Sequence, residues 1–216
     1  LLADTEAAPL ALASAVRLSA HATATAAAAA TLAALRSFGT GGHALTIADT
    51  PAQLLGMTSS VAALATSESL VPRTVGNAAD YTITAAQLGQ LLAMPHLSAS
   101  GFTGLITVAD TADALAALAP TFANVTLGSL LSRVVVSLTG DAVLGATSAS
   151  ALAQLPGFAL GGHSLAVHDT PTALLSPEAT TGIGMATSVG ISGPATVGVA
   201  VLTALADLHA FASDGY

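Results

Sequence analysis

LTIADTPAQLL, residues 45–55, decides the fold, because it returns as ITVADTADALA at residues 106–116 and as LAVHDTPTALL at residues 165–175. In each copy apolar residues alternate with small or polar ones, which predicts a short strand with one buried face. Asp-Thr follows, and then Pro51, Ala112 or Pro171. Asp or Thr at an N-cap with Pro in the first turn is a helix-start signal. Leu54, Leu55, Leu115, Leu174 and Leu175 give that helix its apolar side. A shortened copy, Leu2-Ala-Asp-Thr5, stands near the first residue.

Outward from this half of the unit, here called half B, lies a second half. Residues 16–38, VRLSAHATATAAAAATLAALRSF, align without gaps on residues 75–97, 136–158 and 189–211. This half A opens on Val-x-apolar at Val16/Leu18, Val136/Leu138 and Val189/Ile191, with Val75/Asn77 the deviant copy. It closes on apolar triplets: Leu32/Leu35/Phe38, Leu91/Met94/Leu97, Leu152/Leu155/Phe158 and Leu205/Leu208/Phe211. Alanine runs favour helix between these ends. Thr84-Ala-Ala-Gln87 has the form of a capping box. Pro95 and Pro156 sit near equivalent helix ends, and the pairs Gly41-Gly42 and Gly161-Gly162 turn the chain toward the next strand.

A two-part unit of about sixty residues, repeated in tandem, is the signature of a stacked array. Parallel strands joined by helices cross over right-handedly. The expected fold is therefore α/β: a right-handed α/β solenoid of short parallel strands alternating with short helices, with about thirty residues per coil. It is read as one continuous array over residues 1–216: a part copy 1–15, repeats 16–74, 75–135 and 136–188, and a part copy 189–216. Tyr216 aligns with His43 and His163, so the chain is read as a segment of something longer. Inward positions are Val16/Leu18, Leu45/Ile47, Ile106/Val108, Val136/Leu138, Leu165/Val167 and Val189/Ile191. The opposite strand face carries small neutral residues such as Ser19, Thr46, Thr107, Ser137 and Ser192. Such a face suits self-association as well as it suits ordinary solvation.

Composition narrows the function. The basic residues are Arg17, Arg36, Arg73 and Arg133, against 12 acidic residues and a net charge of −8. Without clustered Lys or Arg a nucleic-acid partner is excluded. No cysteine is present, so there is neither a disulfide framework nor a thiolate metal site. The mean hydropathy is +0.76. The long uncharged stretch 179–206, however, is interrupted by Gly182, Gly184, Gly190, Gly193, Pro194 and Gly198, and no transmembrane span is expected. No basic segment leading into an apolar core opens the chain, so no signal peptide is read there.

Candidate chemistry is sparse. Asp4, Asp49, Asp110 and Asp169 form a ladder of carboxylates that calcium would accept, but helix capping explains Asp-Thr fully and is favoured. Gly41-Gly42-His43-Ala44-Leu45 lacks the fourth-position Gly and sixth-position Asp of a glycine-rich calcium repeat. His21, His43, His96, His163, His168 and His209 show no metal-ligand spacing and are read as structural. No G-x-S-x-G elbow occurs. Gly182-Ile-Gly184 lacks the third glycine of a dinucleotide loop. Two breaks in the repeat, from Ser67 to Arg73 and from Pro120 to Ser132, are read as loops that concentrate no titratable groups. The catalytic, cofactor-binding and metal-site assignments are therefore all none, with calcium the weak exception, and an enzyme is not expected. The aromatic residues Tyr81, Phe102, Phe122 and Tyr216 are too scattered for a binding cluster.

The half-B copies, together with VVVSLTGDAV and LAQLPGF of half A, resemble the Ala/Thr/Gly/Leu-rich tandem-repeat arrays of large secreted or surface-attached bacterial proteins, adhesin-like ones among them. The resemblance covers nearly the whole chain. It implies an extracellular or cell-surface location and a structural role, as spacer or self-assembling unit of a fibre, surface layer or adhesin. It carries over no functional residue. Partners would be copies of the chain or further repeats. The alternative is a solenoid binding module for a protein or glycan.

Overall fold

The computed structural model describes residues 14–71, 81–98, 102–123 and 128–212. Asp4 and its motif, Arg73, Val75 and Tyr216 lie outside these residues. The first strands in chain order are β1 Val16–Arg17, β2 Ala22–Ala24, β3 Phe38–Gly39, β4 Leu45–Asp49, β5 Ser67–Leu70, β6 Tyr81–Ile83 and β7 Leu97–Ser98. They continue as β8 Ile106–Asp110, β9 Val134–Leu138, β10 Ala142–Leu144, β11 Phe158–Ala159, β12 Leu165–Asp169 and β13 Ser188–Ile191. Short helices alternate with them, so the class is α/β as expected.

The chain folds as two compact units, residues 1–81 with 90–104 and residues 82–89 with 105–216. In the first, β2-β4-β5-β7 form a four-stranded sheet and β1-β3 a two-stranded one. In the second, the sheets are ordered β11-β9-β8-β6 and β10-β12-β13. Pairing is parallel, for example Val108↔Val136 and Val167↔Val189.

These orders differ from one strand per half-unit. In the three full repeats each half contributes two strand segments, and the two go to different sheets. In the third repeat β9 lies beside β11 while β10 lies beside β12. The break in half B is a tight turn in which His163 N–H donates to the Leu160 carbonyl at 3.1 Å. Gly161 and Gly162 take φ of +65° and +90° there. A turn with two successive left-handed residues requires glycine or a short polar side chain. Phe38, Leu97 and Phe158, expected as ends of an apolar helix triplet, instead begin the two-residue strands β3, β7 and β11.

The second repeat corrects the alignment at its start. Glu68 of β5 pairs with Ile47 on one side and Leu97 on the other. Val136 holds the same place between Val108 and Phe158. Glu68, not Val75, is thus the strand residue equivalent to Val136 and Val189, and the extra residues of this repeat fall between strand and helix. Both expected loops are also corrected. The stretch from Ser67 begins as β5, and Pro120 lies inside the helix Ala112–Ala123, with a further helix at Gly128–Leu131.

The inward set forms the core. Leu45, Ile47, Ile106, Val108, Val136, Leu138, Leu165, Val167 and Val189 are buried, whereas Val16, Leu18 and Ile191 are half-buried. Among the described residues no helix is long and apolar enough to cross a membrane.

Candidate functional site

The recurring polar motif was the first place to look for chemistry, and both of its side chains are engaged with backbone. Thr50, Thr111 and Thr170 each cap their own helix, accepting from the N–H groups of Gln53, Ala114 and Ala173 at 3.3, 3.4 and 3.3 Å. The aspartate beside each threonine reaches elsewhere. Its Oδ1 accepts from the next residue's N–H at 2.8 Å in all three copies. Its Oδ2 accepts from the first N–H of the preceding half-A helix: Ala26 for Asp49, Ala85 for Asp110 and Ala146 for Asp169, at 3.0, 3.0 and 2.9 Å. A negative charge at that end also meets the positive pole of the helix. One dipeptide therefore closes two helices, one local and one in the preceding half-unit. The capping box is formed as well: Gln87 Oε1 accepts from Thr84 N–H at 2.9 Å, and Thr84 Oγ1 accepts from Gln87 N–H at 3.2 Å.

The histidines are dispersed. His21 Nδ1 accepts from Ala44 N–H at 2.8 Å, and its ring meets His43 edge-on at 5.6 Å. Asp141 takes the corresponding place in the third repeat, accepting from Ser164 N–H at 2.7 Å with His163 3.8 Å away. Those hydrogen bonds hold the exposed Asp141 carboxyl below its ordinary pKa. His168 is exposed on β12. Among the described residues no three His, Asp or Glu side chains converge in a way that would hold a metal ion.

Gly182-Ile-Gly184 lies in the helix Thr180–Met185, which packs on the helix Ala146–Ala153. A Cβ on Gly182 would stand 2.5 Å from Ser150 N and 2.6 Å from the Ala149 carbonyl carbon. This glycine serves helix contact. Ser150, whose hydroxyl donates to the Glu178 carbonyl at 2.7 Å, is tied to the same junction. Tyr81 and Phe102, expected to be scattered, stack with centroids 6.3 Å apart; Phe102 is buried and Tyr81 half-buried. An open apolar groove of about 700 Å³ is lined by Val16, Leu18, Ala28, Leu32 and Phe38, with Arg17 its one titratable side chain among the described residues.

Glu68 is the residue that sequence reasoning missed. It is fully buried, and among the described residues neither carboxylate oxygen has a hydrogen-bond partner. Its own N–H donates to the His96 carbonyl at 2.8 Å. Burial pushes its carboxyl above the ordinary value of 4.5, with the His96 charge opposing. The available signal was the pattern Ser67-Glu-Ser-Leu70, a strand alternation whose inward position carries a charge.

Comparison with known protein families, with curated proteins and with solved structures finds no match.

Proposed function

We propose that the chain is a structural repeat module of an extracellular or cell-surface bacterial protein, without enzymatic activity. It acts as a spacer or as the self-assembling unit of a fibre, surface layer or adhesin. In this proposal the unit runs through residues 1–216 as one right-handed α/β solenoid, needs no cofactor, and has further repeats or other copies as partners. The supporting observation is the carboxylate clamp formed by Asp49, Asp110 and Asp169, which repeats with the unit and directs its oxygens to backbone N–H groups. A group reserved for catalysis occurs in one cleft and breaks a repeat; this one joins half-units wherever it is described.

Electron microscopy of the parent protein from its native source, with immunogold labelling of intact cells, tests the proposal. Filaments or a lattice labelled at the cell surface are expected. Dispersed particles confined to the cytoplasm would overturn it. A second reading, a binding module for a protein or glycan, draws on the open groove at Val16 and Leu18. Probing protein and glycan arrays with the full chain without a hit would remove it.

A further inference from the structure

One backbone link recurs in all four half-A copies. The N–H of the strand residue donates to the carbonyl just before Phe38, Leu97, Phe158 or Phe211. It joins Val16 to Ser37 at 3.4 Å, Glu68 to His96 at 2.8 Å, Val136 to Gly157 at 3.4 Å and Val189 to Ala210 at 2.9 Å. Three of the four donor residues are valine. The second copy puts a carboxylate there, 0% exposed, and among the described residues neither of its oxygens has a hydrogen-bond partner.

The described groups around Glu68 do little to offset its charge. Of the strands that flank β5, β4 ends on Asp49, whose oxygens are held by the Ala26 and Thr50 N–H groups. The other, β7, follows the exposed His96. The helices Ala26–Ala34, Pro51–Leu55, Ser59–Ala62 and Ala85–Leu92 contain no titratable residue. Burial therefore outweighs the opposing His96 and holds the carboxyl above its ordinary 4.5. The strand that closes over this group is also the least secured of its sheet. β7 gives β5 two pairs, Glu68↔Leu97 and Ser69↔Ser98, and stands last in the order β2-β4-β5-β7, whereas β4 and β5 share four. Short segments with few contacts open at the lowest free energy. Opening at β7 brings Glu68 to water and leaves the other edge of β5 in place, where Val71 N–H donates to the Asp49 carbonyl at 3.2 Å.

We propose that Glu68 makes the contact between β5 and β7 a pH-sensitive latch, closed over the protonated carboxyl in acid and released at β7 alone when the carboxyl ionises. The closed form holds the proton more tightly than the open form, in which the carboxyl is solvated and titrates near 4.5. Closure is therefore fully favoured below 4.5 and loses ground as pH rises through the raised value. In that window the ratio of open to closed rises by up to about tenfold per pH unit, and above it the ratio levels off. The copies with valine at this place have the same link and no such dependence.

The test is amide hydrogen exchange of the full chain, followed residue by residue by NMR across this pH range and corrected for the intrinsic pH dependence of exchange. Protection of the Glu68 N–H is expected to fall by up to about tenfold per pH unit above the ordinary carboxyl value, while that of the Val71 and Val136 N–H groups holds. Glu68→Gln keeps the shape without the titration, and its protection at residue 68 should not vary with pH. Glu68→Val restores the residue of the other copies and should keep at neutral pH the protection that the wild type shows in acid. A flat wild-type profile, or a fall that persists in Glu68→Gln, overturns the latch. Protection lost at Val71 in step with Glu68 overturns release at β7 alone, since both edges of β5 then open together.

Discussion

Asp49 and Ala26 are 23 residues apart in the chain, and the carboxylate Oδ2 of the first accepts from the backbone N–H of the second at 3.0 Å. The same link joins Asp110 to Ala85 and Asp169 to Ala146. Removing it leaves a helix N–H without a partner in a half-buried place. Asp110→Ala is expected to lower stability by about 1–2 kcal/mol in denaturant unfolding. The Ala85 amide should lose hydrogen-exchange protection along with it. Asp110→Asn, which keeps an acceptor but not the charge, is expected to cost less. Equal losses for the two would show that the charge contributes nothing.

Glu68 gives stability a dependence on pH. Its folded-state pKa lies above the unfolded value, so the folded chain binds the proton more tightly. The contribution is fully present below the ordinary value of 4.5 and is lost as pH rises from there through the raised folded value. Glu68→Val restores the residue type found at Val136 and Val189. It is expected to gain about 1–3 kcal/mol at pH 7 and less at pH 4. Urea midpoints of both proteins across that range check this, and parallel curves would refute the assignment to Glu68.

Gly182 and Gly184 sit two residues apart in one helix and predict opposite outcomes. Gly182→Ala drives a methyl group into the backbone at Ala149 and Ser150, and a loss of about 1–3 kcal/mol is expected from the forced shift. A Cβ on Gly184 meets nothing within 4 Å. Gly184→Ala should therefore be neutral or stabilising, by up to about 1 kcal/mol from helix propensity. Thermal unfolding of the pair decides whether close helix approach is the reason for the first glycine.

Ser37 and Ala210 hold left-handed φ of 58° and 54° at the place that Gly157 fills with φ 61° in the third repeat. A side chain there costs about 1–2 kcal/mol, of which glycine's greater unfolded-state freedom returns part. Ala210→Gly is expected to raise stability by a few tenths to about 1 kcal/mol, measured by the shift in Tm. A decrease would mean that the conformation is relaxed for alanine.

The capping residues were legible in the sequence because caps are local. Thr50 acts three residues away, and Thr84 with Gln87 form a box within one turn. That Asp49 serves a different helix was not legible, since its partner is chosen by strand register. The inward residues from Leu45 to Val189 followed from alternation over five positions. Two-residue strands such as Phe38–Gly39 are too short to alternate, and only their pairing with a neighbour defines them. The start of the second repeat was misplaced because a polar residue, Glu68, occupies an apolar position while Val75 imitates the expected one. Gly182 looked like a fragment of a nucleotide loop because a glycine required for helix contact and one required for a phosphate are the same residue type.

The direction of the Asp49 link matters for the order in which the chain acquires its structure. Every such carboxylate lies downstream of the helix whose first turn it completes. On a ribosome the helix Ala146–Ala153 is made first, and Asp169 is added 23 residues later than Ala146. At about 5–20 residues per second that is a wait of roughly one to five seconds. Folding then trails translation by half a unit, each new strand locking what came before it. The most recently made half-unit is always the least secured, and fraying begins there.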